Sequence, residues 1–275
     1  MARLLAICPD VGLVAALSSG LPGHDFVLSD GNVEAVRRLR QLAVDVVVTD
    51  PMTTVPEDIA LAEELRSVRP GVKVISLAPA TSHEDVVAAL RAHVFACFTP
   101  PFDHDEIAAM GLAALQAVDW THGIEVVSGL PYWMTLRVSC HLLTAERLVR
   151  FMTEFEDTLP DRERDLLMTA FREMLVNAME HGAGFDPNKV IEVTAARTNR
   201  AIVFHFRDPG NGFDRADLAH AAKSRLPEEV IDTTLRREQE GRRPGGFGML
   251  LVKQIADELV YNERGNEVLL IKHLK

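Results

Sequence analysis

Short apolar runs alternate with helical periodicities through the first 118 residues. "RLLAIC" (3–8), "VDVVVTD" (44–50), "VKVISLA" (72–78) and "VFACFT" (94–99) read as strands, and "HDFVLS" (24–29) is a weaker fifth. Helical spacing fills the intervals at about 11–20, 33–42, 57–69, 82–92 and 103–118. Near-continuous apolar strands separated by amphipathic helices predict a parallel sheet covered on both faces, in a flavodoxin-like order. The rhythm breaks at "VDWTHGIEVVSGLPYW" (118–133), where turn residues gather. The expected organisation is therefore a first domain over 1–120, a linker over 121–132 and a second domain over 133–275.

The second half has another order. A strand, "WMTLRVSC" (133–140), precedes a helix over 144–159 with Thr144 as its expected N-cap. "PDRERDLLMTAFREMLVNAMEHG" (160–182) predicts one long helix that opens on Pro160 and stops at Gly182. "KVIEVTAART" and "AIVFHFRD" form a hairpin turning at Asn199–Arg200. A polar stretch, a helix over about 248–259 and a strand over 267–274 close the chain. This order predicts an α+β sandwich, not a second doubly wound sheet.

Composition narrows the classes. The 275 residues are 47% hydrophobic and 25% charged, with a formal net charge of -11. A field of that sign argues against a general affinity for nucleic acid. No apolar run reaches membrane-spanning length, and no secretory signal pattern opens the chain. Cys8, Cys97 and Cys140 have no metal or CxxC spacing. They are expected to be reduced core thiols of a cytoplasmic protein.

The candidate chemistry lies in the second half. Glu173, Asn177 and His181 recur every fourth residue, which at about 100° per residue keeps them near one stripe of a helix. Alone, such a stripe is a solvated edge. "FRDPGNGFD" (206–214) sets Asp208 at a strand end, followed by Gly210 and Gly212. "RRPGGFGMLLVKQIADEL" (242–259) sets Gly245, Gly246 and Gly248 before a helix, where free backbone N–H groups suit phosphates.

In this order and spacing the three elements resemble the GHKL ATP-binding fold over about 130–275. Within it, "NAMEHG" and the terminal "ADELVYNERGNEVLLIKHLK" resemble the anti-sigma-factor serine kinases of bacterial partner-switching systems. The resemblance implies ATP and Mg²⁺ as ligands. Asn177 would hold the metal, and Glu173 would orient or deprotonate the attacking hydroxyl. Asp208 would accept from the adenine amino group, with Gly210 and Gly212 close to the nucleotide. Gly246 and Gly248 would offer N–H groups to phosphate. Residues 213–244, with Lys223, Arg225, Arg236, Arg237, Arg242 and Arg243, would form a lid. His181 matches a common family residue without a derivable role, and Phe247 stands where that branch often carries a basic side chain.

The first half resembles the receiver domain of two-component response regulators. Asp50 falls at the phosphoacceptor position, and "FTPPF" (98–102) resembles the end of the fifth strand. The acidic pair expected after the first strand is replaced by Cys8-Pro9, with Asp10 next. The switch hydroxyl position holds Ala78, and the lysine position holds Pro100. Aspartate phosphorylation needs a metal and a cation, so Asp50 is expected to react poorly. The expected role is a degenerate receiver that docks or dimerises.

Three functions follow. The first is an ATP-dependent protein serine/threonine kinase acting on a small antagonist protein, with a sigma factor as a second partner. The second is a non-catalytic ATP-binding switch. The third is a two-component histidine kinase, disfavoured because no helical hairpin with a phosphoacceptor His precedes the ATPase part. Glu173 favours the first over the second, since a pure binder needs only Asn177, Asp208 and the glycines.

Overall fold

The computed structural model describes residues 2–118, 120–156, 159–212 and 247–274. The chain divides into two compact units. One holds residues 1–131 with 150–157, and the other 132–149 with 158–275.

The first unit is a five-stranded parallel sheet. Its strands are β1 (Arg3–Ile7), β2 (Asp25–Ser29), β3 (Val46–Val48), β4 (Lys73–Leu77) and β5 (Ala96–Phe98), in the order β2-β1-β3-β4-β5. This is the flavodoxin-like order that the alternating pattern predicts. Five helices connect and follow the strands: α1 (Val11–Gly20), α2 (Asn32–Gln41), α3 (Val55–Val68), α4 (His83–Arg91) and α5 (His104–Gln116). β3, β4 and β5 are buried at every position, as strands covered on both faces must be. Local chemistry starts the helices. Asp10 accepts from the Leu13 N–H at 2.7 Å, and Ser82 and Asp85 bond reciprocally across the start of α4.

One polar cluster sits inside this core. Asp58 of α3 is fully buried and accepts hydroxyl bonds from Thr49 (2.7 Å), Thr53 (2.6 Å) and Ser76 (2.5 Å). Burial pushes its pKa up to about 6, against the opposing pull of the three hydroxyls.

The second sheet is six-stranded, in the order β10-β11-β9-β8-β7-β6. Its strands are β6 (Ile124–Leu130), β7 (Trp133–Ser139), β8 (Val190–Arg197), β9 (Ala201–Arg207), β10 (Glu258–Tyr261) and β11 (Glu267–His273). Its helices are α6 (Leu142–Phe155), α7 (Asp161–Asn177) and α8 (Phe247–Ile255). β8 and β9 make the predicted hairpin. Their alternation buries Ile191, Val193 and Ala195 beside Ile202, Phe204 and Phe206. The stretch expected as a connector carries a 3-10 turn, Trp120–His122, and strand β6.

Three local expectations are corrected. Thr144 is not an N-cap: α6 begins at Leu142, and the Thr144 hydroxyl lies 3.2 Å from that of Ser139. Cys8 is exposed, not a core thiol, because its backbone turns left-handed (φ 45°) as the chain leaves β1. The helix over 160–182 is not uniform. α7 passes into a π turn, Ala178–Gly182, closed by the Ala183 N–H on the Ala178 carbonyl at 3.1 Å. The left-handed exit lies at Gly184 (φ 68°) and Phe185 (φ 52°), beyond Gly182.

Candidate functional site

Aromatic packing fixes the helix that carries the first candidates. Phe171 of α7 stacks edge-on against Phe204 at 4.8 Å and tilts over Phe206 at 5.1 Å. Period-two alternation along β9 then sends residue 208 to the side that Phe204 and Phe206 occupy. Asp208 thus arrives beside the end of the α7 segment. A Cβ placed on Gly182 would collide with the Asp208 carboxyl group. One placed on Gly210 would lie 2.7 Å from Asp208 Oδ1 and 2.8 Å from the Gly182 carbonyl oxygen. Only hydrogen at both positions leaves the carboxylate its room.

Asp208 is half-buried and held from several directions. Its Oδ1 accepts from the Gly210 N–H at 2.8 Å, and its own N–H donates to the Asn266 carbonyl at 3.0 Å. Burial raises its pKa, against the Gly210 bond and the charge of Arg264. Gly212 (φ 78°) lies so close to the Arg264 carbonyl that no side chain fits there.

Glu173 meets the third element. A Cβ on Gly248, in the first turn of α8, would overlap the Glu173 carboxylate. The candidate acid therefore lies at a helix start whose backbone N–H groups suit anions. Arg172 Nη1 is 3.6 Å from Glu173 Oε1, but that guanidinium is committed mainly to Glu146, with Nε at 3.1 Å from both carboxylate oxygens. Asn177 is half-buried one turn further along. His181 lies within the π turn and is exposed, unlike half-buried Glu173 and Asn177.

The structure thus gathers Asp208 with Gly210, and Glu173 with Gly248. Gly246 and the expected lid, 213–244 with its six named basic residues, lie outside the described residues. Among the described residues, no three His, Cys, Asp or Glu side chains converge as a metal cage. A neutral amide beside one carboxylate suits a Mg²⁺ that arrives on nucleotide phosphates.

The sequence reading missed Gly182, Asn262 and Asn266. Gly182 passed for a helix stop. The asparagines belong to an ordinary-looking polar turn, and no residue-type pattern marks a side chain that bonds to a distant backbone.

At the other candidate, Asp50, the carboxylate is engaged locally. Its Oδ1 accepts from the Met52 N–H at 2.9 Å, and the Cys8 thiol bonds to it. Partial desolvation, then the Asp50 carboxylate, pushes that thiol's pKa up. Asp50, Asp30, Asn32, Glu34, Arg37 and Thr53 line an open cleft, where Arg37 pairs with Glu34 at 3.3 Å. Asp10, the one acid near the missing pair, caps α1 and lies 3.2 Å from His104.

Residues 141–272 match the family model described as histidine kinase-like ATPase domain. No curated protein matches the chain. Solved structures with similarity include a response regulator receiver domain protein from Clostridium thermocellum, 18% identical, covering 42% of this chain and 94% of that one (TM-score 0.35). A response regulator from Thermotoga maritima is 17% identical over 42% of this chain and 99% of its own (TM-score 0.37). A two-component response regulator from Clostridium difficile is 16% identical over 43% and 99% (TM-score 0.37). The five-strand order already gives the first unit its receiver-like fold, and residues 141–272 are a histidine kinase-like ATPase domain of the GHKL type.

Proposed function

We propose that this chain is an ATP-dependent protein serine/threonine kinase of the anti-sigma type. Its substrate is a small antagonist protein bearing a phosphorylatable serine, and a sigma factor is its second partner. The observation that supports this reading is the seat of Glu173 against Gly248 at the start of α8. A carboxylate at an anion-binding helix start is suited to act on a hydroxyl beside a terminal phosphate, whereas a pure nucleotide binder gains nothing from it.

In this reading Asp208 accepts from the adenine amino group through its second carboxylate oxygen. Asn177 would hold Mg²⁺ by its amide oxygen, and the ion, when bound, would screen phosphate charge. Glu173 orients the attacking serine hydroxyl and takes its proton as the new oxygen–phosphorus bond forms. The bond to the β-phosphate oxygen breaks, and ADP leaves. The receiver-like unit serves as a degenerate docking or dimerisation module. Reduced thiols and an acidic surface suit a cytoplasmic setting.

The test is recovery of the antagonist by pull-down, followed by incubation with labelled ATP. Glu173→Ala should keep ATP binding and lower transfer by roughly 10²–10⁴-fold. Asn177→Ala should weaken both. Transfer at wild-type rate in the Glu173 variant would remove the catalytic role and leave a nucleotide-binding switch.

A further inference from the structure

Asp208 ends a strand, and a strand end is a poor mount for a group that must discriminate between bases. The turn between β10 and β11 supplies the missing rigidity. Asn262 folds that turn: its Oδ1 accepts from the N–H groups of Gly265 (2.7 Å), Asn266 (3.1 Å) and Glu267 (3.2 Å). Its Nδ2 donates to Asn266 Oδ1 at 3.0 Å, which fixes the Asn266 amide. Asn266, only 7% exposed, then grips the Asp208 backbone at both ends. Its Nδ2 donates to the Asp208 carbonyl at 3.1 Å, and its carbonyl accepts the Asp208 N–H at 3.0 Å. The close approach of Gly212 to the Arg264 carbonyl adds a further tie between the same two segments.

This arrangement has a chemical consequence. Gly210 occupies Oδ1, and among the described residues no hydrogen bond reaches Oδ2, which is the acceptor for a ligand. An adenine 6-amino group donates to it. A 6-keto base presents an oxygen instead, and two acceptors then face each other in a half-buried site. How strongly the site separates them depends on how little the carboxylate can retreat.

We propose that Asn266 is the positioning residue that sets base selectivity, holding Asp208 so that 6-amino purine nucleotides are accepted and 6-keto ones refused. The inference rests on the reading of Asp208 as the adenine-binding acid.

ADP and inosine diphosphate, which differ at this group and avoid turnover, are the probes, with affinities measured calorimetrically on the full chain. The wild type should prefer ADP by about 10–100-fold, the value of one hydrogen bond to a charged group. Asp208→Ala should abolish that preference. Asn266→Ala should reduce it to within about threefold and leave the inosine diphosphate affinity nearly unchanged, since phosphate contacts are untouched. Asn266→Asp has the same shape but cannot donate to the carbonyl, and it should lose the preference too, should the alanine variant fail to fold. An Asn266 variant that melts earlier but keeps the wild-type ADP preference overturns the proposal and spares the role of Asp208. A wild type without preference for ADP overturns both.

Discussion

At the scale of single residues, the site is defined by what is missing from side chains. Gly182 is helical, with no positive φ to excuse it, and helices favour alanine there by about 1 kcal/mol. Its hydrogen makes room for the Asp208 carboxyl group. Gly182→Ala is nevertheless expected to lower thermal stability and to weaken ADP binding by roughly tenfold, because the overlap of its methyl group with Asp208 outweighs that propensity gain and pushes the carboxyl off its position. A melting curve and a titration on the same preparation check both halves. Glu173, Asn177 and Asp208 could be singled out as candidates in the sequence only through the combination of three motifs and the resemblance it carries. Gly182 and Asn266 were not legible, because their work depends on partners 26 and 58 residues away.

At the scale of elements, long periodic segments declared themselves, and short or irregular ones did not. The helix boundaries of the first unit fall within about two residues of those the apolar spacing predicts. β10 escaped notice because four residues hold too little alternation to separate from a helix end. The π turn after Asn177 was invisible, since one additional residue alters a hydrophobic pattern less than it alters direction. Asp58 is one of two acids in the first turn of α3, and it is buried under three hydroxyls. Its pKa is raised from 3.8 to about 6, so the folded state holds the proton more tightly than the unfolded chain does. That contribution is complete below about pH 4 and is lost as pH rises through about 6, by up to about 3 kcal/mol. Asp58→Asn should flatten this slope. Urea denaturation at pH 4.5 and pH 7 would show it, and an equal slope in both proteins would assign the titration elsewhere.

For the whole molecule, two different folds share one chain, and their candidate residues are engaged differently. In the ATPase domain Asp208 meets Gly182 and Gly210, and Glu173 meets Gly248. In the first unit the acids singled out by the resemblance are engaged locally: Asp10 caps a helix, and Asp50 accepts from the Met52 N–H and bonds to the Cys8 thiol. Asp50→Ala is therefore expected to leave phosphorylation of the antagonist unchanged. Acetyl phosphate should add no mass to the wild-type unit, and an added phosphoryl group at Asp50 in mass spectrometry would refute this. The fold of both halves could be read in advance because apolar periodicity is a global signal. The expectation that Asp50 reacts poorly rests on Cys8, Ala78 and Pro100 in the sequence, and the structure adds the local bonds that Asp10 and Asp50 make.

The pairing of β9 with β11 also bears on the order of assembly at the ribosome. Asp208 is synthesised 58 residues before Asn266, and until β11 emerges β9 has an unpaired edge and Asp208 has no clamp. Glu173, Asn177 and Asp208 can all be present on a nascent chain that still cannot choose its base. Under the role proposed for Asn266, selectivity for adenine should arrive abruptly with the β10–β11 hairpin, so that a chain stalled before residue 258 lacks it although Glu173, Asn177 and Asp208 have been made.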